Sequence, residues 1–280
     1  MIEAKLKDDA LLADIVAARS EPDALRVWWL GQSGFLLQYS GRHLLLDPYL
    51  SDSLTRKYAE TDKPHVRMTE LVIDPARLDF IDVLTSSHNH TDHLDGETLT
   101  AILRANPHVE IIVPEANRQF VADRLSVLPD RLRTLDAGQS LEAAGFQLHA
   151  VPAAHETVER DDDGRCKFLG YVARCGPYTV YHSGDTVLYE GMVDLLREFP
   201  IDLALLPING SLPERRVAGN LWGREAARLA KEIGAKCVIP CHFDMFEFNT
   251  VTPDEFMTTC EEIEQPYRVM ACGERWTCYS

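Results

Sequence analysis

His88-Asn89-His90-Thr91-Asp92-His93 places three histidines and a carboxylate in six positions of a chain with only ten histidines. Imidazole nitrogens and carboxylate oxygens at this density suit zinc, and also manganese or iron. In an extended or turning segment His88 and His90 point to the same side, so both rings reach one metal. Asp92 and His93 lie just beyond, where the chain should turn into the next helix, and can reach a second metal. A polar loop with coincidental histidines is the bland alternative. The position of the run, straight after Val83-Leu84-Thr85, weighs against it.

Four more candidates follow strand-like runs. Asp47 follows His43-Leu44-Leu45-Leu46, and His155 follows Leu148-His149-Ala150-Val151. Asp185 follows Val180-Tyr181-His182, and His242 follows Val238-Ile239-Pro240. Open sheets build sites at strand ends, where loops converge while the sheet holds them rigid. Taken singly, His155, Asp185 and His242 each have an ordinary reading as a core histidine, a turn aspartate or a strand-end histidine. Their joint order argues for a shared site.

The elements that must position these groups are legible as short periodic runs. Residues 8–19 carry Leu11, Leu12, Ile15 and Val16 at helical spacing. Val27–Leu30, Phe35–Tyr39 and His43–Leu46, divided by Gly31, Gly34 and Gly41, predict an antiparallel meander. Residues 51–69 are polar and weakly periodic, a long excursion of the kind that often serves as a lid. Asp82–Thr85 and Val109–Val113 read as strands, and Glu97–Ala105 and Glu115–Leu125 as helices, an alternation that implies parallel strands with crossovers. Further strands are expected at Phe146–Val151, Phe168–Ala173, Thr179–His182, Leu203–Leu206 and Cys237–Pro240. Helices are expected at Leu188–Phe199, at Leu221–Ile233 with Asn220 as cap, and after Thr252-Pro253. Tyr267–Ala271 and Arg275–Cys278 read as a closing hairpin. No linker rich in Pro, Gly or Ser interrupts the pattern, so residues 1–280 are expected to form one domain.

Composition narrows the function classes. The formal net charge of -16 repels phosphate backbones and argues against a nucleic-acid partner. No apolar run approaches the roughly 20 residues that span a bilayer, and the charged N-terminus has no signal-peptide core. The seven cysteines are odd in number and contain no CxxC pair, as expected for reduced thiols in a cytoplasmic protein. The expected partner is a small-molecule substrate, with no membrane role and a homo-oligomer left open.

Asp47, the HxHxDH run, His155, Asp185 and His242, in this order, resemble the metallo-β-lactamase superfamily. Trp28-Trp29-Leu30-Gly31-Gln32-Ser33-Gly34, Tyr181-His182-Ser183-Gly184-Asp185 and Val238-Ile239-Pro240-Cys241-His242-Phe243-Asp244 are similar to the branch containing L-ascorbate-6-phosphate lactonase. So are Asn249 through Pro253 and Ala271-Cys272-Gly273-Glu274-Arg275-Trp276. The resemblance implies an α/β (α+β) fold, a four-layer αββα sandwich, with two divalent metal ions, Zn or Mn, in a cleft along the sheet edges. It implies that His88, His90 and His155 bind the first metal, and that Asp92, His93 and His242 bind the second. Asp185 would bridge them, and Asp92 would also orient the nucleophile. Asp47 would hold a histidine N–H from behind. The implied activity is hydrolysis by a metal-bound hydroxide. The expected substrate is a sugar-acid lactone such as L-ascorbate 6-phosphate. A phosphodiesterase acting on a nucleotide or phospholipid, and a non-catalytic metal-binding or regulatory protein, are the alternatives.

Substrate contacts are sought after the run Leu203–Leu206, on the same rim. Asn209 stands there, and Arg215 or Arg216 could clamp a carboxylate or phosphate. Lys57, His65 and Arg67 in the early excursion have the same two readings, ligand contact or solvated surface. Cys241 reads as a buried thiol, because strand alternation turns it away from its neighbour. Trp28 and Trp29 read as packing residues.

Overall fold

The computed structural model describes residues 1–278. Its first half contains α1 (Asp8–Ala18), β1 (Leu25–Gly31), β2 (Gly34–Tyr39), β3 (Arg42–Leu46), α2 (Ser53–Tyr58) and β4 (Val83–Thr85). Then come α3 (Gly96–Ala105), β5 (Glu110–Pro114), α4 (Arg118–Leu125), β6 (Leu132–Leu135) and β7 (Ser140–Ala143). The second half contains β8 (Phe146–Pro152), β9 (Leu169–Cys175), β10 (Tyr178–His182), α5 (Met192–Leu196) and β11 (Leu203–Pro207). It continues through α6 (Gly223–Glu232), β12 (Cys237–Cys241), α7 (Asp254–Glu262) and β13 (Arg275–Cys278).

The strands form two sheets, ordered β13-β1-β2-β3-β4-β5-β6 and β12-β11-β10-β9-β8-β7. The sheets face each other. Phe35 meets His182 and Tyr39 meets Tyr178 edge to face, and Tyr171 Oη donates across the gap to the Ser86 carbonyl. Helices cover the outside. Asp14 of α1 accepts from Trp28 Nε1 at 2.8 Å, and α6 packs on β11 and β12. Strands covered on both faces need no polar side, which is why β1 reads LRVWWLG and is buried throughout. The result is the expected mixed α/β architecture of two sheets flanked by helices.

Direction matters most for the site. Strands β3, β4, β5 and β6 run parallel. In the other sheet β10, β11 and β12 run parallel, and β9 is antiparallel to both β8 and β10. Strand β8 therefore points the same way as β10. The C-terminal ends of β3, β4, β8, β10 and β12 carry Asp47, the histidine run, His155, Asp185 and His242 on connected loops.

Several local expectations are corrected. The helix expected at Leu188–Phe199 is only α5, because Gly191 takes φ +83° just before it. Asn220 does not cap α6. The helix starts later, where Glu225 accepts the Trp222 backbone N–H at 2.9 Å, and the Asn220 side chain bonds Asn209 instead. Helix α7 begins at Asp254, with Pro253 rather than Thr252 at its cap. Tyr267–Ala271 and Arg275–Cys278 do not pair with each other as a hairpin. Tyr267 touches β12 through one isolated bridge, and β13 crosses to the other sheet to pair with β1. Strand periodicity specifies a buried face, and it says nothing about which sheet supplies the partner. Strands β6 and β7 were missed because each is only four residues long and mostly polar or half-exposed.

Candidate metal centre

The loop after β4 turns back on itself, with the His93 and Leu94 N–H groups donating to the His90 carbonyl. This turn brings His88, His90, Asp92 and His93 to one place. The loop after β10 approaches from the other sheet. Gly184 there takes φ +60°, and a Cβ on it would lie 2.6 Å from Ser87 Cβ. Only glycine lets the Asp185 loop sit against the histidine loop this closely. His242 also takes a left-handed φ of +60°, which turns its ring away from the line of β12.

Three overlapping groups of donors result, one of them Asp47, His88 and His93 on the inner side. Single ligand atoms of His88, His90 and His155 lie within 4.8 Å of one another, and so do those of Asp92, His93, Asp185 and His242. Asp185 connects the latter two groups. Its Oδ1 is 3.2 Å from His93 Nε2, and its Oδ2 is 3.3 Å from His242 Nε2 and 3.5 Å from His155 Nε2. Asp92 Oδ2 lies 3.3 Å from His242 Nε2.

The far sides of the rings are fixed by the protein. His93 Nδ1–H donates to Asp47 Oδ2 at 2.7 Å, and His155 Nδ1–H donates to the Gly219 carbonyl at 3.0 Å. Ser87 N–H and Oγ–H both donate to Asp47, so the serine oxygen is left to accept from His88 Nδ1 at 2.9 Å. Each Nε2 is thereby aimed inward. His88 Nε2, His93 Nε2 and Asp185 Oδ1 are buried without a well-angled hydrogen bond, the last two facing each other at 3.2 Å. Buried polar atoms are seldom left so, and three converging ones fit a cation.

Proton affinities have the same cause. Burial would raise Asp185 and Asp92, but the His242 and His93 rings hold both carboxyls far below their usual range. Burial would lower His93 and His242, but Asp185 and Asp92 hold His93 well up and His242 at about 9. His88 is pushed down by burial and by His93 and His90. The cluster thus carries two firm carboxylates whose protons sit on histidines, where a divalent cation would replace them.

Sequence reasoning missed Gln32. It sits in the β1–β2 turn at φ +49°, and its Nε2 donates to Asp92 Oδ2 at 2.8 Å. Its signal was an amide in the turn between Gly31 and Gly34, directly after the apolar run Val27–Leu30.

A cavity of about 510 Å³ opens over the cluster. Tyr58, His65, Phe246 and Phe248 form one wall, with Lys57 at the rim. His65 stacks on Tyr58 at 4.1 Å. Asn209, Arg215 and Arg216 do not line this cavity, contrary to expectation. Arg215 donates to the Asn209 and Thr250 carbonyls, and Arg216 pairs with Asp62 on the surface. Arg67 is likewise buried against Asp52. Cys241 is buried, as expected, and Trp28 and Trp29 are packed, with Trp29 stacked on Phe243.

Two facing sheets with a histidine and carboxylate cluster at their strand ends define a metallo-β-lactamase-type hydrolase. Residues 42–243 match the beta-lactamase superfamily domain, and the chain belongs to that family. It is 29% identical over 258 residues to a UPF0173 metal-dependent hydrolase of Opitutus terrae, covering 89% of this chain and 98% of that one. It is 25% identical over 233 residues to a UPF0173 metal-dependent hydrolase of Saccharolobus solfataricus, covering 82% and 88%. Its fold resembles the crystal structure of a possible metal-dependent hydrolase from Veillonella parvula, with a TM-score of 0.72, 17% identity, and 91% and 100% coverage. The chain is a metal-dependent hydrolase of this fold.

Proposed function

We propose that the chain is a single-domain, two-metal hydrolase that opens a small cyclic ester, a sugar-acid lactone of the class that includes L-ascorbate 6-phosphate. The observation that carries the two-metal reading is the inward convergence of His88 Nε2, His93 Nε2 and Asp185 Oδ1, all buried without a well-angled hydrogen bond under an open cavity. His88, His90 and His155 would hold one ion, Asp92, His93 and His242 the other, and Asp185 both. Bound ions, Zn or Mn, would supply Lewis acidity and an ionised water near neutral pH.

The protein's part is orientation and proton handling. Gln32 holds Asp92 Oδ2, which leaves Asp92 Oδ1 free to accept from and orient the attacking water. Tyr58, Phe246 and Phe248 exclude bulk water from one side of the substrate. Lys57, whose ammonium lies over the Tyr58 ring, is the one lysine lining the cavity and would meet a phosphate or carboxylate on the substrate. With Arg215 and Arg216 engaged elsewhere and Arg124 tied to the Asn89 and Leu94 carbonyls, Lys57 is left to meet a single anionic group, which suits a small phosphorylated or carboxylated substrate better than a nucleic acid. Seven free cysteines accord with a reducing, cytoplasmic setting.

A metal-supplemented screen of lactones, phosphodiesters and phosphorylated sugars tests this reading. Lactone turnover with inert phosphodiesters is expected, and the reverse pattern would refute the lactone assignment.

A further inference from the structure

Asn209 and Arg215 lie one layer behind the cavity, and together they fix the polarity of a side chain that lines it. A guanidinium has only donors. Arg215 Nη1 donates to Asn249 Oδ1 at 3.3 Å, and that oxygen also accepts Asn209 Nδ2 at 3.0 Å. Asn209 Oδ1 must then face the other way, where it accepts Asn220 Nδ2 at 3.0 Å. The order Arg215, Asn249, Asn209, Asn220 has one sense. Flipping any single amide sets donor against donor or acceptor against acceptor.

The chain of amides ends on Asn220 Oδ1, a carbonyl oxygen that is buried without a hydrogen-bond partner among the described residues. Asn220 lines the cavity. Its backbone is tied to two ligand loops. The preceding Gly219 carbonyl accepts from His155 Nδ1–H, and the following Leu221 N–H donates to the Thr186 carbonyl, next to Asp185. A buried acceptor held this firmly is costly unless it is paired when the site is in use.

We propose that Asn220 determines specificity. Its Oδ1 accepts an O–H from the bound substrate, while Arg215, Asn249 and Asn209 are positioning residues that keep it in the acceptor sense. The proposal rests on the cavity taking a lactone, and it narrows the class to hydroxylated lactones.

The test compares erythronic γ-lactone, which carries two ring hydroxyls, with unsubstituted γ-butyrolactone on metal-loaded protein. Asn220→Leu is expected to lower the ratio of their kcat/KM values about tenfold, the loss of one hydrogen bond. Arg215→Met, which frees the amides to invert, should lower the same ratio, and Arg215→Lys, still a donor only, should restore it. Equal losses for both lactones would mean a structural role and overturn the proposal. If wild-type protein hydrolyses neither, the lactone reading fails, and binding then decides the role of Asn220. Calorimetric titration with erythronate and 4-hydroxybutyrate should show a preference for the hydroxylated acid that Asn220→Leu removes. No preference in the wild type, or one that Asn220→Leu retains, overturns the proposal.

Discussion

Replacing Asp47 by asparagine separates metal affinity from folding. Asp47 is fully buried and accepts from Ser87 N–H, Ser87 Oγ–H and His93 Nδ1–H. Asparagine has nearly the same shape and tolerates the left-handed φ of +41° found there. Its oxygen can still accept from the Ser87 N–H. The new amide nitrogen would face the two remaining donors. Serine can rotate its hydroxyl away. His93 must instead move its proton from Nδ1 to Nε2, the atom that faces the metal site. Losing the charge-assisted bond should cost about 1.5–3 kcal/mol of stability. Disturbing a ligand from behind typically costs 10–100-fold in metal affinity, about 1.4–2.8 kcal/mol. Chelator competition measures the affinity, and urea unfolding of metal-free protein measures the stability. Wild-type metal affinity in Asp47→Asn, alongside a clear loss in His93→Ala, would refute the argument that Asp47 fixes the His93 tautomer.

Further outcomes are expected. His90→Ala should abolish hydrolysis of any accepted substrate and lower the metal content, which elemental analysis puts at about two per wild-type chain if the two-ion reading holds; full activity would remove His90 from the site. Metal-free protein should lose stability as pH rises from 6.5 to about 9, because the raised His242 and His93 hold protons that offset Asp92 and Asp185. A flat urea midpoint across that window would contradict this, whereas metal loading at pH 7 should release protons into a weakly buffered solution. Trp28→Ala should destabilise by about 3–5 kcal/mol, since a fully buried indole leaves a cavity and its Nε1 partner Asp14 loses a donor. Gly223→Ala should cost about 1–3 kcal/mol, because its Cβ would meet the Phe256 backbone nitrogen at 2.7 Å and push α6 from α7, a shift that thermal unfolding would report.

Much of the candidate site was legible in the sequence because its histidines are scarce and, with its aspartates, stand directly after apolar runs. His88, His90, Asp92, His93, His155, Asp185 and His242 all reach one cluster. Asp47 also needed no structure to be suspected, since it follows β3 in the same manner. Local chemistry of this kind survives projection onto one dimension: strand ends are marked by periodicity, and the parallel pairing of β4 with β5 follows from alternating elements.

Tertiary structure alone decided what stands behind and beside the ligands. Gln32 reaches Asp92 from 60 positions earlier, and no spacing rule links a hairpin turn to a metal loop. Arg215 looked like a clamp because its type and rim position suited an anion, yet its donors are taken up by backbone carbonyls and Asn249. Asn220, expected as a helix cap, became the end of an oriented amide chain. Side chains of these types are satisfied by whichever partner packing brings within 3 Å or so, and that partner is set by the two facing sheets. The sequence by itself determined the candidate donor set and the strand ends that carry it. The contact between the sheets decided which rings are buried, which tautomers are fixed, and which polar groups are left free to meet a substrate.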